Sequence, residues 1–417
     1  MFQKIRQYSD HTFSSLRIRN YRLYFTGQGI SLCGTWMQTI AQTWLVLQLT
    51  HSGTDIGLLL AVQFLPILIL GAFGGVIADR FAKRRLIFIT QSSALVLALT
   101  LGLLVQFHLV HVWMVFVLSG LLGLVTAVDN PSRQSFMTEI VGREHITNAI
   151  TLNSIELNLA RVIGPSIAGI LIANVGISFC FFINSASYVA VLICLFLMNS
   201  SELIPNKRIT KIRGQLSEGF AYVRATPVLR NMIVMLVIIG MLSFEFPVVL
   251  PVFASRTFHG NAASYALLMS AMSFGSVIGG FVVASKKNYT QNTVLVAAIV
   301  FGLFMLFSSL SPNIVVATIM LVGVGFGTII FSALCNSTLQ LNSSPEMRGR
   351  VMALWGVTFL GTTPIGGPII GWLSDHSSPR TGLAVGGLAA IIAALIGFYL
   401  SHRGTRSTNK TLDTQSA

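Results

Sequence analysis

The chain has 417 residues, of which 53% are hydrophobic and only 10% are charged, and its formal net charge is +14. Soluble globular proteins carry about 25% charged residues, so this composition excludes a soluble enzyme. The cations lie in short gaps between long apolar runs, a distribution that favours contact with anionic lipid headgroups. We therefore expect a lipid bilayer around the protein and no nucleic-acid partner.

A helix that crosses a bilayer needs about 20 apolar residues, and twelve such runs follow one another along the chain. They cover residues 24–48, 56–78, 86–107, 111–129, 148–173, 176–198, 230–254, 263–285, 292–310, 313–336, 350–374 and 380–401. The sequence therefore predicts an all-α polytopic membrane protein with twelve transmembrane helices.

The distribution of cations predicts the orientation in the membrane, because cytoplasmic loops carry an excess of Lys and Arg. With the N-terminus inside, nearly all of the 27 Lys and Arg residues fall on the inner side. The exceptions are Arg256 and Arg380 on the outer side and Arg161 within a helix. Both termini are therefore predicted to be cytoplasmic, and no cleavable signal peptide is expected at the basic N-terminus.

The longest interior hydrophilic stretch divides the twelve spans into six and six. Within it, residues 215–225 place Leu216, Phe220 and Val223 on one face, which predicts an amphipathic helix at the membrane surface. The predicted domains are an N-terminal six-helix bundle (1–200), a cytoplasmic linker (201–229), a C-terminal six-helix bundle (230–402) and a cytoplasmic tail (403–417).

The fifth and eleventh spans carry similar motifs, IGPSIAG at 163–169 and IGGPIIG at 365–371. At one constant offset Gly164 matches Gly366 and Gly169 matches Gly371, which indicates two pseudo-symmetric bundles. Such internal repeats are typical of carriers that rock about a site near the middle of the membrane.

A charged hairpin at residues 74–86 joins the second and third spans. Its arrangement resembles the signature loop of the major facilitator superfamily, and the whole chain resembles that fold. The pattern is carried by Gly75, Asp79, Arg80, Lys83 and Arg84. Ala82 stands where the family has glycine, which predicts a less tight turn. The resemblance implies a cytoplasmic gate, in which the glycine lets span 2 approach span 11 and the aspartate meets the positive end of a span 11 helix. Ordinary anchoring of cations at the inner membrane surface is the alternative.

Several segments are similar to one bacterial branch of this superfamily, which contains enterobactin exporters, macrolide-efflux proteins and transmembrane secretion effectors. They are residues 19–46, 129–136, 148–169, 218–230 and 343–353. The resemblance implies a monomer in the plasma (inner) membrane of a bacterium.

The span 5 motif also resembles that of proton-driven antiporters. Gly164, Pro165 and Gly169 match the antiporter pattern, whereas Ala160 and Ala168 replace two of its glycines.

Three ionisable residues fall inside predicted spans, where insertion of a charge costs about 2.5–3.5 kcal/mol. Glu156 and Arg161 lie on span 5, and Glu245 lies on span 7 without a cation within two helical turns. Burial favours the neutral form of a carboxyl group, so these residues are candidates for proton coupling. Pro247 and Pro251 are expected to loosen span 7. The alternatives are a neutral Glu245 bonded to a neighbouring helix and a structural network around Glu156 and Arg161.

A polar face on span 1 is the best candidate for a substrate cavity. The candidate cavity residues are Gln28, Thr35, Gln38 and Gln42 on that face, with Asn153, Phe246 and Trp355 on other spans. Hydrogen bonds between helices are the alternative use of such a face. A cavity with few charges suits amphiphilic solutes. Arg161 makes an anionic catecholate an alternative substrate.

The sequence thus predicts a secondary active transporter, a proton-coupled exporter of small amphiphilic molecules, either drugs or siderophore-like metabolites, that works by alternating access. Import, sodium coupling, a lipid or lysolipid carrier and a non-transporting scaffold are alternatives. A membrane-embedded enzyme is disfavoured, because the linker offers only Glu202 and Glu218 and no paired acids. We expect no metal and no cofactor.

Overall fold

The computed structural model describes residues 14–204, 215–285 and 291–415, and these are almost entirely helical. The side chains of Ala72, Asp79, Arg143 and residues 215–216, 291 and 401–415 lie outside this description. The first six helices are α1 (Arg19–Thr50), α2 (Gly53–Arg80), α3 (Lys83–Gln106), α4 (Val112–Gly142), α5 (Glu144–Asn174) and α6 (Ser178–Leu197). The others are α7 (Gln215–Ala225), α8 (Pro227–Leu242), α9 (Phe246–Val252), α10 (Ala262–Ser285), α11 (Gln291–Ser309), α12 (Ile314–Leu341), α13 (Pro345–Gly361), α14 (Thr363–His376) and α15 (Pro379–Gln415).

Eleven helical segments of the described chain are long and apolar enough to cross a membrane. The sixth of them comprises α8 and α9, and the tenth comprises α13 and α14; in the predicted series of twelve they are the seventh and the eleventh span. The helix missing from these eleven is α1, the first span predicted from the sequence. With 32 residues it is long enough, at about 1.5 Å per residue, but its glutamines and threonines lower its hydropathy. The predicted all-α polytopic fold is confirmed.

The structure divides into two compact units. The first contains residues Met1–His51 and Val62–Thr210, and the second contains Ser52–Ala61 and Lys211–Ala417. The first turns of α2 therefore group with the second unit, whereas the rest of that helix belongs to the first. The bundle boundaries predicted from the sequence stay a prediction.

Each unit is a bundle with its own buried contacts. In the first unit α1 packs against α6 and against the run formed by α4 and α5, and α3 packs against α6. In the second unit α10 packs against α12, and α11 packs against α12 and α15. Glycines allow the closest of these approaches: a Cβ at Gly275 would lie 1.9 Å from the Val322 carbonyl oxygen. Small residues at helix interfaces are typical of membrane bundles.

The fourth span is longer than the predicted 111–129, and this corrects the sequence analysis. Helix α4 continues to Gly142, whose positive φ of 70° separates it from α5. Residues 130–141 are therefore helical rather than a loop. Their polar and aromatic side chains are accommodated in the bundle, where Ser132 and Phe136 are fully buried.

Helix α7 covers the residues for which the sequence predicts an amphipathic helix. It lies against the start of α13, since Glu218 forms an ion pair of 2.9 Å with Arg350 and the Tyr222 hydroxyl accepts a hydrogen bond from the Ser344 amide. Val223 is buried, whereas Phe220 is exposed. The position of α7 at a membrane surface stays a prediction.

Candidate functional site

Glu245 lies at an interruption of the seventh span. Helix α8 ends at Leu242 and α9 begins at Phe246, and the Glu245 backbone between them has φ −83° and ψ 39°. Pro247 occupies the first turn of α9, where its missing N–H is tolerated although the same residue breaks a continuous helix. Only 3% of the Glu245 surface is exposed. A carboxyl group is thus buried where this span is interrupted.

The helical assignment of the eleventh span is interrupted for one residue, Thr362, beside Glu245. Helix α13 ends at Gly361 and α14 begins at Thr363. A Cβ at Gly366 would lie 3.0 Å from Glu245 Oε1, and a Cβ at Gly367 would lie 3.6 Å from Oε2. The two glycines of the IGGPIIG motif therefore leave the volume that the carboxyl group occupies.

The Glu245 carboxyl group has an open hydrogen-bonding position. The Thr363 side chain bonds to it, but Oε1 has no hydrogen-bond partner, and no described cation forms an ion pair with it. The neighbouring Thr362 hydroxyl is likewise buried without a partner. Because buried polar atoms are almost always bonded, these open positions mark a place for a proton, a water molecule or a ligand atom.

Aromatic rings lie next to this acid. The Trp355 ring stacks on Phe359 at 5.1 Å, and Phe359 in turn contacts Phe244, which lies in the interruption between α8 and α9. Trp355 is half-buried, and its Nε1–H has no hydrogen-bond partner. Phe246, the other predicted cavity residue here, is almost fully buried against Phe301.

Glu156 is the buried acid of the first unit. Its side chain lies against α1, where a Cβ at Gly29 would come 2.6 Å from Oε1. The residue is 7% exposed, and Oε1 has no hydrogen-bond partner. Helix α5 passes Glu156 without interruption, in contrast to the span that carries Glu245.

An ion pair that the sequence analysis missed lies in the same unit. Asp129 and Arg133, one turn apart on α4, are paired, and Asp129 also accepts hydrogen bonds from Thr90 and Gln91 of α3. The sequence prediction ended span 4 at Asp129, so Asp129 was its last residue and Arg133 was assigned to the loop. The spacing of four residues on a continuing helix is the signal that could have found this pair.

Arg161 lies on α5 with its guanidinium over the ring of Trp36 on α1, 5.1 Å from the ring centroid. Gly164 brings the two helices together, since a Cβ there would lie 2.7 Å from the Cys33 carbonyl oxygen and 2.7 Å from Trp36 Cβ. Pro165 and Gly169 of the same motif are buried.

The polar face of α1 divides between two environments. Gln38 accepts a 2.6 Å hydrogen bond from Asn184 of α6, and Gln42 donates one of 2.5 Å to Ser119 of α4. These two glutamines therefore connect helices inside the bundle. Thr35 is exposed and bonds to its own helix.

Two further predicted cavity residues belong to the first unit. Gln28 is buried with Nε2 unpaired, and Asn153 is half-buried.

The predicted gate residues Lys83 and Arg84 contact partners within the first unit. Lys83 Nζ lies 3.2 Å from Glu139 Oε1 at the end of α4. Arg84 donates to the Leu195 carbonyl oxygen from Nε and Nη2, at 3.0 and 2.7 Å, and so caps the C-terminus of α6. A cation at this end of a helix complements the unpaired carbonyl groups and the helix dipole.

The other predicted gate residues, Gly75, Asp79 and Arg80, lie in the last turns of α2, which a two-residue connection joins to α3. Gly75 is buried and Arg80 exposed, whereas the Asp79 side chain lies outside the described residues. Ala82 has φ −63° and ψ 118°, a conformation that alanine adopts without strain. Its replacement of glycine therefore introduces no backbone penalty.

A carboxylate caps the opposite end of α2. Asp375, at the end of α14, accepts hydrogen bonds from the amides of Gly53 and Thr54, both at 2.8 Å, and from the hydroxyls of Ser52 and Thr54. Arg256 Nη2 lies 3.0 Å from Asp375 Oδ1. Sequence reasoning did not identify this contact, although the HSGTD stretch (51–55) carries a helix-start signal.

Gly371 allows the approach at this end, because a Cβ there would lie 2.3 Å from the Gly53 carbonyl oxygen. Within the described residues, no group of three or more His, Cys, Asp or Glu side chains is arranged to hold a metal ion.

Eleven apolar spans, helices interrupted beside a buried acid and glycine-mediated helix contacts define a polytopic membrane transporter. The chain belongs to the transmembrane secretion effector family of the major facilitator superfamily, whose family model matches residues 10–415. The predicted superfamily and branch are therefore confirmed.

Relatives of known function are transporters rather than enzymes. The chain is 25% identical to the staphyloferrin A transporter of Staphylococcus aureus, over 92% of this chain and 96% of that protein. It is 24% identical to the multidrug efflux pump Tap of Mycolicibacterium fortuitum, over 88% and 92%. It is 23% identical to the enterobactin exporter EntS of Citrobacter koseri, over 90% of each.

Solved structures show the same fold. A bacterial homolog of the human lysosomal transporter Spinster superposes with a TM-score of 0.73 at 14% identity, over 94% of this chain and 97% of that one. A POT family transporter in complex with 5-aminolevulinic acid gives a TM-score of 0.75 at 12% identity, over 92% and 96%.

Proposed function

We propose that this transporter is a proton-coupled exporter of small amphiphilic molecules, drugs or siderophore-like metabolites, that works by alternating access. The observation that carries the proposal is the buried Glu245 carboxyl group, which has an open oxygen and lies where both the seventh and the eleventh span are interrupted. The relatives supply the substrate class, because their names include two siderophore transporters and a multidrug efflux pump.

Glu245 has the properties that proton coupling requires. A carboxyl group without a counter-ion in an apolar environment is stable in its neutral form, so it holds a proton while the site is closed to water. Bending of the seventh or eleventh span at its interruption would change the access of water to this group. The proton is then released on the side that opens, and substrate movement follows from the same change of shape.

Glu156 and Arg161 are the further coupling candidates, and they lie on the uninterrupted helix α5. For substrate contact we propose the half-buried Trp355, the exposed Thr35 and the half-buried Asn153, since these side chains retain accessible surface. Gln38 and Gln42 are buried and connect neighbouring helices through their hydrogen bonds, and Gln28 and Phe246 are buried as well.

The cytoplasmic gate is proposed around Gly75, Asp79 and Arg80, with Lys83 and Arg84 holding the inner ends of α4 and α6. We further propose a monomer in the bacterial inner membrane with both termini in the cytoplasm. Green fluorescent protein and alkaline phosphatase fused in turn to the C-terminus test the orientation. Fluorescence without phosphatase activity is expected, and the reverse pattern would contradict it.

The decisive experiment measures intracellular accumulation of macrolides, lipophilic dyes and catecholate siderophores in efflux-deficient bacteria that express the chain. Wild type is compared with Glu245→Gln and with Glu346→Gln, a matched control at an exposed position in the first turn of α13. Each strain is measured with and without a protonophore.

Wild type and the Glu346→Gln control should lower the accumulation of at least one compound, and the protonophore should abolish this effect. Glu245→Gln should lose it by about tenfold or more, equal to about 1.4 kcal/mol in the transport barrier. Export that survives in Glu245→Gln contradicts the assignment of coupling to this residue. Increased accumulation would establish import instead.

A further inference from the structure

Arg161 is a cation inside a membrane span, and it has no ion pair with any acid among the described residues. It lies in the middle of α5, which crosses from Glu144 to Asn174. No described carboxylate forms an ion pair with it, and its Nε has no hydrogen-bond partner. Ionisable groups inside membrane segments are costly and almost always paired, so an unpaired guanidinium requires an explanation.

The guanidinium is held in place by an aromatic ring rather than by a charge. Its carbon lies 5.1 Å from the centroid of Trp36, within the range of a cation–π contact. Gly164, three residues along α5, permits this arrangement by letting the helix approach α1 at Trp36. The ring supports one face of the guanidinium, but it provides no acceptor for the N–H groups on the edge.

The acid on the same helix does not supply this acceptor. Glu156 precedes Arg161 by five positions, roughly 140° around the helix, and its carboxyl group lies against Gly29 with Oε1 unbonded. The carboxylates of Asp129 and Glu139 in this unit are already paired with Arg133 and Lys83. The donors of Arg161 are therefore available to a molecule that is not part of the chain.

We infer that Arg161 binds an anionic group of the transported molecule, a carboxylate or a catecholate, while Trp36 holds the guanidinium plane. The planar fork of arginine matches two oxygens of such a group, and the paired hydrogen bonds are stronger than those to a neutral ligand. This inference rests on the proposed transport function and narrows it to substrates that carry an anionic group.

The test measures thermal stabilisation of the purified full-length protein in detergent by two anionic probes, a tricatecholate and a citrate-based tricarboxylate. Their methyl ether and methyl ester forms serve as matched neutral probes. Wild type is compared with Arg161→Gln, Arg161→Lys and Trp36→Leu. Exposed Arg224→Gln, on α7, is the control for loss of a cation.

At least one anionic probe should raise the unfolding temperature of wild type and of Arg224→Gln, and its methylated form should not. Arg161→Gln should weaken binding of the anionic probe at least about tenfold. Arg161→Lys should retain part of the binding, and Trp36→Leu should weaken it less than Arg161→Gln does. Without a probe, Arg161→Gln should be at least as stable as wild type, because it removes an unpaired charge from the span.

Equal stabilisation of wild type by methylated and anionic probes, or no stabilisation by either, overturns the inference even if Arg161→Gln fails to fold. An unchanged shift in Arg161→Gln also overturns it. If any of these results is obtained while drug export in cells still depends on Glu245, the exporter proposal is retained. Only the inference of an anionic substrate is then rejected. Loss of that export as well removes both.

Discussion

Each unit of the protein buries one acid against a glycine of a neighbouring helix, but the surroundings of the two acids differ. Glu156 lies on a continuous helix in a unit that also holds the Asp129–Arg133 pair. Glu245 lies where its own span is interrupted, beside a second span with a one-residue interruption. Both acids have one oxygen without a hydrogen-bond partner.

The difference separates structural from functional use of a buried carboxyl group. A continuous helix holds its side chains at a fixed depth, whereas an interrupted one can change its direction with little loss of hydrogen bonds, because those bonds are already absent. We therefore expect loss of the carboxyl group to affect transport more at Glu245 than at Glu156.

The largest effect on stability is expected at the charge pair of the first unit. Arg133→Gln leaves Asp129 buried without its cation, which should lower the free energy of unfolding by about 3 kcal/mol or more. Unfolding in a titration with sodium dodecyl sulfate measures this value. The double change Asp129→Asn with Arg133→Gln should recover most of the loss, because no charge is then left unpaired. A double variant as unstable as the single one would show that the pair is not the cause.

The next effect compares the two glycines that accommodate the acids. A Cβ at Gly366 would lie 2.0 Å from the Met241 carbonyl oxygen, a backbone atom, so Gly366→Ala should destabilise by about 2 kcal/mol or more. Gly29→Ala meets only the end of the Glu156 side chain, which can rotate away, and should lose less. Gly356→Ala is the control, because a Cβ there meets nothing within 4 Å. Equal losses at Gly29 and Gly366 would show that the backbone contact at Gly366 costs no more than the side-chain contact at Gly29.

A third carboxylate tests what full hydrogen bonding is worth. Asp375 accepts bonds from four groups at the start of α2, so Asp375→Asn should lower the free energy of unfolding by about 1.5 kcal/mol. Asp55→Asn, in the first turn of the same helix, changes only the interaction with the helix dipole and should lose about 0.5 kcal/mol. If Asp375→Asn and Asp55→Asn lose similar stability in the titration with sodium dodecyl sulfate, Asp375 contributes only its charge and not its hydrogen bonds.

The smallest effects on stability are expected for the two buried acids themselves. Glutamine has nearly the same shape as a protonated glutamate, so Glu156→Gln and Glu245→Gln should each change the free energy of unfolding by less than about 1 kcal/mol. Their transport should nevertheless diverge, with loss of protonophore-sensitive export in Glu245→Gln and retention of most of it in Glu156→Gln. Equal transport by the two variants would contradict the functional difference between the units.

The position of Glu245 could be predicted from the sequence because its signals are local. An acid without nearby cations, followed by Pro247 and Pro251, marks an interrupted span in any protein of this class. The helix at 215–225 follows from periodicity for the same reason. The partners of Glu245 on α14 required the structure, because the matching glycine motifs of spans 5 and 11 do not tell which acid they face.

The Asp129–Arg133 pair was missed because hydropathy treats a charge as the end of a span. The helix continues past it, since Thr90 and Gln91 of α3 supply the hydrogen bonds that make burial of Asp129 acceptable. Hydropathy has the opposite effect on α1, because buried glutamines lower its mean hydropathy although the helix packs inside the bundle.

The sequence by itself determined the all-α membrane architecture and its branch of the major facilitator superfamily, because apolar length and helical periodicity are properties of neighbouring residues. Only the tertiary structure decided which polar groups meet. Asp375 and the Gly53 amide are 322 residues apart, and Arg161 reaches Trp36 on another helix. Such contacts depend on how helices rotate and approach one another. In a bilayer, packing of small residues and pairing of the few polar groups set that arrangement.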